Sequence, residues 1–289
     1  MSSPRDRNAL AAGIAALATA EGRNATRQPG VSLYRISGLE RPTSTLYAAS
    51  LILVGSGEKH ATLGDTRFVY NAGHYLVVAS PMPMVCRTLA TSDDPLLSLM
   101  IEIKLPVLRA LLLELDDRPP PPSDRAPRSV FRARLTPEIE DAGVRLLACL
   151  TDDRRTRALG RQIVRELLFL ALDGADGDSL RALAAGPISQ LDHVLRHINQ
   201  HVAEPMPVPA LARIARMSIP TFHQHFKTMT GRSPLQYVKA LRLTRARDLL
   251  HAGSLVKTVA HAVGYESESQ FSREYRRFHG AAPSMIARR

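Results

Sequence analysis

The sequence predicts an α+β chain of two domains: an antiparallel β-barrel with flanking helices, followed by an all-α region. Three observations predict it. Short β-branched and aromatic runs follow one another between Leu33 and Ile103 without intervening helices, which implies an antiparallel sandwich or barrel. Beyond Gly186 everything reads as helix with short breaks. The 289 residues exceed a typical single domain and suit two, each with its own core.

Taken in order, Ala9 to Ala20 follows Arg5 and Arg7 and imitates a signal peptide. Alanine makes a weak apolar region, however, and an amphipathic helix carrying Ile14 and Leu17 is the preferred reading. No other stretch approaches the ~20 apolar residues of a membrane span, so a cytoplasmic protein without a membrane partner is expected. Strands are read at Leu46 to Val54, Phe68 to Tyr70, Tyr75 to Ala79 and Leu97 to Ile103. Turn chemistry separates them at Gly55-Ser56-Gly57, Gly64-Asp65 and Asn71-Ala72-Gly73. Pro106 to Leu115 reads as a helix, and Asp116 to Ser129, with Pro119 to Pro122, as a linker. Thr136 and Pro137 form an N-cap with proline at the first helical position. Leu159, Ile163, Leu167 and Leu170 recur at helical spacing in the next helix, which also carries Val164, Leu168 and Phe169. Apolar residues on more than one face require a partner helix, within the chain or in a second subunit. Gly174 to Gly186 is a second linker. The division expected is 1–115, 116–187 and 188–289: sensing barrel, linker with dimerisation helices, and helical domain.

The last part contains a repeat. Leu211-Ala212 and Ala215 overlay Val259-Ala260 and Val263 at an offset of 48. Past the turn the offset is 49, matching Phe222 with Phe271, Phe226 with Tyr275, Lys227 with Arg276, Gly231 with Gly280 and Pro234 with Pro283. Each copy is a short helix with a small residue, a tight turn, and a helix with aromatics four apart on one face. That is the pattern of a helix-turn-helix, whose close helix crossing needs the alanine. Ser267 with Gln270 and Ser233 with Gln236 have capping-box spacing, and Ser218 caps the longer helix of the first copy. The helix from Ser233 to about Leu250 would be roughly 27 Å long. A rod of that length holds two recognition helices near the ~34 Å spacing of successive major grooves.

Charge points the same way. The formal net charge is +11, and residues 189–289 hold 15 Lys and Arg against 6 Asp and Glu, while the preceding part holds 23 against 21. A basic surface confined to the repeated region favours double-stranded DNA as partner. Cys86 and Cys149 are too few for a disulfide framework or a four-thiolate zinc site. His60 and His74 stand apart, without the His-x-His and carboxylate set of a metal-dependent barrel enzyme. His193, His197 and His201, four apart on one helix, are read as a polar face near DNA rather than as metal ligands. No enzyme, metal or cofactor is expected.

The segment from Ile188 to Arg289 closely resembles the AraC/XylS family of bacterial transcription regulators. The resemblance is carried by Leu211-Ala212 to Met217-Ser218, Phe222, Phe226-Lys227, Gly231, Ser233-Pro234, Tyr237, Arg242, Ala246, Val263-Gly264-Tyr265, Phe271-Ser272-Arg273, Gly280 and Pro283. Gly55, Gly64, Tyr70, Gly73 and Tyr75-Leu76-Val77 are similar to the cupin-like sensor domain of one branch of that family. The resemblance implies a promoter-binding regulator modulated by a small molecule, acting as a homodimer, with RNA polymerase as a further partner. It implies base-reading positions at Pro220, His223 and Gln224 in the first unit and Glu268, Ser269, Ser272 and Arg273 in the second. Pro220 departs from the pattern, since it offers only apolar contact. Arg273 can contact guanine and Glu268 can accept from cytosine. Ser218, Lys227, Ser267, Gln270 and Arg276 suit phosphate, which positions without specifying.

Ile163, Leu167 and Leu170 are expected at the dimer contact. If Pro81 to Cys86 is extended, Met82, Met84 and Cys86 share one face and are candidates for an effector pocket, with Arg87 favouring a Cys86 thiolate.

Overall fold

The computed structural model describes residues 4–40, 42–115, 129–174, 177–185 and 187–286. Helix α1 (Pro4–Leu17) precedes strands β1 (Gly22–Ala25), β2 (Val31–Ile36), β3 (Thr43–Tyr47), β4 (Ser50–Ser56), β5 (Glu58–Leu63), β6 (Thr66–Asn71), β7 (His74–Val78), β8 (Met82–Leu89) and β9 (Leu96–Glu102). After α2 (Leu105–Glu114) come β10 (Val130–Arg134), α3 (Pro137–Cys149), α4 (Asp153–Asp173), α5 (Gly177–Ala185) and α6 (Pro187–Gln200). The proline tract lies outside the described residues.

Among the described residues the strands form two antiparallel sheets, ordered β1-β2-β9-β4-β7-β10 and β3-β8-β5-β6. They face each other as a sandwich rather than closing into a continuously bonded barrel. Both faces of the larger sheet are covered. Ser32, Met100, Ile52 and Leu76 are directly opposite one another across β2, β9, β4 and β7 and point between the sheets. The alternate residues Leu51, Leu53 and Leu99 point to the other face, which α1 covers together with α3, the helix packed on α1. Burial on both faces is why β4 and β9 read as unbroken apolar runs instead of alternating. In α1, Leu10 and Ile14 are buried against this layer, as the amphipathic reading requires. Among the described residues no helix is long and apolar enough to cross a membrane.

Three readings need correction. Leu46 to Val54 is not one strand: the chain turns at Ala48-Ala49 and passes from the smaller sheet (β3) to the larger (β4), a corner made without glycine or proline. Strand β10, beyond the proline tract, returns to pair with β7, with Val130 opposite Val78. Residues 130–172 therefore complete the sensor instead of forming a separate linker segment. Finally, Ile163 and Leu167 are buried inside the chain and Leu170 is half-buried against the same core. Within the chain α3 packs along α4, so the partner helix that their apolar face requires is an intrachain one.

Met82, Met84 and Cys86 do share one face, opposite Tyr47, Thr45 and Thr43. Pro83 is accommodated although β8 is a central strand. The β5 pairing covers only Val85 to Leu89, so Pro83 interrupts no ladder bond to that strand.

Candidate nucleic-acid interface and ligand cavity

The first repeat is α7 (Val208–Ile214), a turn, and α8 (Ile219–Thr230); the second is α10 (Val256–Ala262), a turn, and α11 (Glu268–His279). Helix α9 (Pro234–His251) joins them, and α12 (Pro283–Ile286) follows. The two turns are built alike. Met217 N–H donates to the Ala212 carbonyl at 3.0 Å, and Tyr265 N–H to the Ala260 carbonyl at 2.9 Å. Both turns need one left-handed residue. Gly264 supplies it in the second (φ +86°), whereas Arg216 occupies it in the first (φ +53°), a strained choice for a residue with a Cβ. A Cβ on Gly264 would lie 2.3 Å from the Ala203 carbonyl oxygen, so only glycine fits there.

Each longer helix begins on a serine cap. Ser218 Oγ accepts from Thr221 N–H and Ser267 Oγ from Gln270 N–H, both at 3.3 Å. Each ends on a left-handed glycine, Gly231 or Gly280, whose N–H donates at 2.8 Å to Lys227 or Arg276. The reciprocal capping box forms at Ser233 and Gln236 but not at Ser267, because the Gln270 amide turns to Glu274. Inward, Phe222 stacks near Phe226 (ring centroids 5.3 Å apart) and Phe271 near Tyr275 (5.5 Å).

With the aromatics inside, the polar positions are left facing solvent. Pro220, His223, Gln224 and Lys227 on α8 are exposed, as are Glu268, Ser269, Arg273 and Arg276 on α11. Ser272 is half-buried. Ser218, Ser267 and Gln270 are exposed but have the intramolecular partners just described. Of the three histidines, His193 and His197 are on α6 and His201 directly follows it; His197 and His201 have adjacent rings, and His201 bonds Glu204 at 2.9 Å.

A feature that sequence reasoning noted only as part of a resemblance is the fork of Arg242. It donates to three carbonyls: Nε to Val202 (2.8 Å), Nη1 to Gly264 (3.0 Å) and Nη2 to Glu204 (2.8 Å). It thereby ties the loop before α7 to the turn of the second unit. Nearby, Glu274 accepts from Lys239 Nζ and the Tyr265 hydroxyl, both at 2.9 Å, which fixes α11 against α9. Burial works against its ionisation, but these bonds hold the carboxyl below its ordinary pKa.

The sensor contains a cavity of about 360 Å³ between the two sheets. Ser32, Tyr34, Ile52, Leu96, Ser98 and Met100 line it from the larger sheet and Thr45, Tyr47, Lys59 and Tyr70 from the smaller, with Arg23 and the exposed Glu102 also in its wall. Met82, Met84 and Cys86 are absent from this lining; they are buried in the core behind Thr45 and Tyr47. The thiolate reading of Cys86 also fails. Arg87 is exposed, on the opposite face of the strand, and burial pushes the Cys86 thiol up. The sequence signal for the lining of this cavity is Ser98, a lone hydroxyl in the apolar run Leu96 to Met100.

Sensor and helical parts are in contact. Strand β3 turns Thr45 and Tyr47 toward the cavity and Ser44 the other way, where its hydroxyl meets that of Thr244 on α9 at 2.9 Å. The Tyr237 hydroxyl on α9 donates to the Pro81 carbonyl at 2.6 Å. Gly64, in the β5–β6 turn, lies against the Gly231 cap of α8 so closely that a Cβ on it would sit 3.0 Å from the Gly231 carbonyl oxygen. One continuous core extends from the sheets through Phe222, Phe226 and Tyr237 to Leu241. A separate cluster begins at Leu243 and contains the second unit.

Comparison with known proteins matches two family models: the AraC-type transcriptional regulator N-terminus over residues 27–179 and a helix-turn-helix domain over residues 211–289. The HTH-type transcriptional activator RhaS of Escherichia fergusonii is 33% identical over 124 residues, 42% of this chain and 45% of that protein. RhaS of Citrobacter koseri is 31% identical over 146 residues, 50% of this chain and 49% of that protein. The chain thus spans about half the length of these relatives. Among solved structures, an apo variant of ToxT from Vibrio cholerae superposes with a TM-score of 0.60 at 10% identity, over 93% of this chain and 98% of that one. Wild-type ToxT with an unsaturated fatty acid bound superposes with a TM-score of 0.59 at 11% identity, over 89% and 94%. These two share the fold. With the sensor model alone covering more than half of its residues, the chain belongs to the AraC-type transcriptional regulators.

Proposed function

We propose that this regulator binds a promoter through both helix-turn-helix units and that a small molecule in the sensor cavity sets its affinity for that DNA. The observation that carries the proposal is the double role of β3, whose inward residues line the cavity while Ser44 bonds α9, the helix joining the two units. A ligand that shifts β3 changes the seat of α9, and only such a differential contact can bias one state over another. The fatty acid in the ToxT structure is consistent with a ligand site in this fold.

Base reading is assigned to Pro220, His223, Gln224, Glu268, Ser269, Ser272 and Arg273, and phosphate contact to Ser218, Lys227, Ser267, Gln270 and Arg276. For Ser218 and Ser267 the contact is made by the capped helix N-terminus as a whole. Selection of bound fragments followed by salt-dependent titration tests this. Arg273→Ala should lose about 1–3 kcal/mol of specific binding and relax preference at one base pair. Lys227→Ala should weaken all sequences alike and lower the salt slope by about one. An unchanged preference profile in Arg273→Ala would mean that α11 does not enter the groove.

Cytoplasmic residence follows from a DNA partner. RNA polymerase is proposed as the further partner, in line with the activators that the chain resembles. A homodimer is proposed through the outward face of α4, where Leu159 remains 45% exposed after the intrachain packing is complete. Sedimentation should show Leu159→Glu dissociating at concentrations where the parent is dimeric; an undisturbed dimer would move the contact elsewhere.

A further inference from the structure

The smaller sheet brings one ammonium and two phenols to the same stretch of cavity wall. Lys59 and Tyr70 are directly opposite on β5 and β6, and the Lys59 Nζ lies 5.7 Å from the centre of the Tyr47 ring. Lys59 is half-buried, and among the described residues no carboxylate comes within ion-pair distance of it. Its neighbour Glu58 is committed elsewhere, to His60 at 2.6 Å and Asn71 at 3.1 Å. An ammonium in a partly desolvated wall without a counter-anion is costly unless something else supplies the charge.

The phenols leave a donor to spare. The Tyr47 and Tyr70 hydroxyls are 2.9 Å apart and share one hydrogen, and the Cys86 thiol points its S–H at the Tyr47 oxygen at 3.6 Å. Whichever phenol donates to the other, the second O–H has no acceptor among these contacts, and both rings line the cavity. Burial pushes both phenols well above their ordinary pKa, so neither becomes an anion that could balance Lys59. The wall therefore presents a positive charge, and the phenol pair beside it holds one O–H donor beyond the hydrogen the two share; together these match an acceptor-only group of one negative charge. Arg23 and Glu102, of opposite charge, also line the cavity, so a single ligand charge balances the wall. Ile52, Leu96 and Met100 supply the apolar remainder of the lining.

We propose that the cavity takes a monocarboxylate with a compact apolar body, its carboxylate seated between the Lys59 ammonium and the Tyr47–Tyr70 hydroxyl pair. This rests on the reading of the cavity as the effector site and names the ligand class.

Calorimetry on the full chain tests it with phenylacetate, hexanoate and cyclohexanecarboxylate, each beside its neutral primary amide. At least one acid should bind about tenfold or more tightly than its amide, a difference of about 1.4 kcal/mol. Lys59→Met should abolish that preference, Lys59→Arg should retain part of it, and Tyr70→Phe should weaken the acid several-fold. Circular dichroism and DNA binding without ligand should be unaltered in all three. Amides binding as well as acids, or an acid preference surviving Lys59→Met, would overturn the anion assignment while leaving the cavity as a site. Failure of every acid to bind at about 10 mM would also overturn the ligand class. Ile52→Phe separates the two readings. If this cavity-filling variant leaves acid binding intact, the ligand lies elsewhere and the effector-site reading itself falls.

Discussion

Replacing Phe271 by alanine is expected to cost about 3–5 kcal/mol and to unfold the second helix-turn-helix unit while the sensor and the first unit stay folded. Phe271 is fully buried and sits between Tyr265 (5.4 Å) and Tyr275 (5.5 Å). The cluster around it has nine buried residues, three of them aromatic, so the substitution removes a large share of what holds the unit together. A cluster of that size has little margin, because a whole domain is stable by only about 5–15 kcal/mol. The matching change in the first unit, Phe222→Ala, removes an equally buried ring, but that ring belongs to the core shared with the sensor. Hydrogen exchange distinguishes the two cases. Phe271→Ala should deprotect 256–286 and leave the strands and α8 protected, and binding to a full-length site should drop to that of one unit. Uniform deprotection of the chain would show that the two clusters unfold as one.

The second large effect is expected at Arg242. Arg242→Met keeps the length of the side chain but orphans the carbonyls of Val202, Glu204 and Gly264. Charge-assisted bonds of this kind contribute about 1.5–3 kcal/mol each, and a combined loss of about 3 kcal/mol is expected once the partial exposure of the site is allowed for. Arg242→Lys should behave nearly as badly. A single ammonium cannot address three carbonyls that a planar fork reaches from one position. Chemical denaturation followed at the second unit measures the loss, and DNA binding should weaken in step. If lysine restores full stability, charge rather than the fork geometry holds the two units.

How much of this was legible in the sequence follows from how local the determinants are. The helix-turn-helix units could be read because cap, small residue, turn and aromatic pair lie within some twenty residues of one another, and because the same order occurs twice. The caps at Ser218, Ser233 and Ser267 and the glycines at 231 and 280 are where local chemistry places them. The sandwich was legible as a class but not in its connections. The corner at Ala48-Ala49 carries no turn residue, and β10 is separated from its partner β7 by two strands, a helix and the proline tract. The cavity was the least legible part. Its wall is drawn from β1, β2, β3, β4, β5, β6 and β9, and its largest local groups, Thr45 to Ala48 and the alternate residues from Leu96 to Glu102, hold only four residues each. Met82, Met84 and Cys86 were assigned the right face of a strand and the wrong depth. Alternation reports which way a side chain points, not whether the space in front of it is already filled.

Helix α9 runs without interruption from a residue range buried with the sensor to one buried with the second unit. For the promoter this has a consequence of grammar. A continuous helix of 18 residues has no joint at which the two readers could slide or swivel, and Arg242 locks it from the side. If both units read DNA as proposed, the two words read by one chain stand at a single fixed distance and phase. One extra base pair between them would shift the second word by about 3.4 Å and turn it by about 35° around the duplex. Any latitude in operator spacing must come from outside the pair of words, in the gap between sites occupied by different chains.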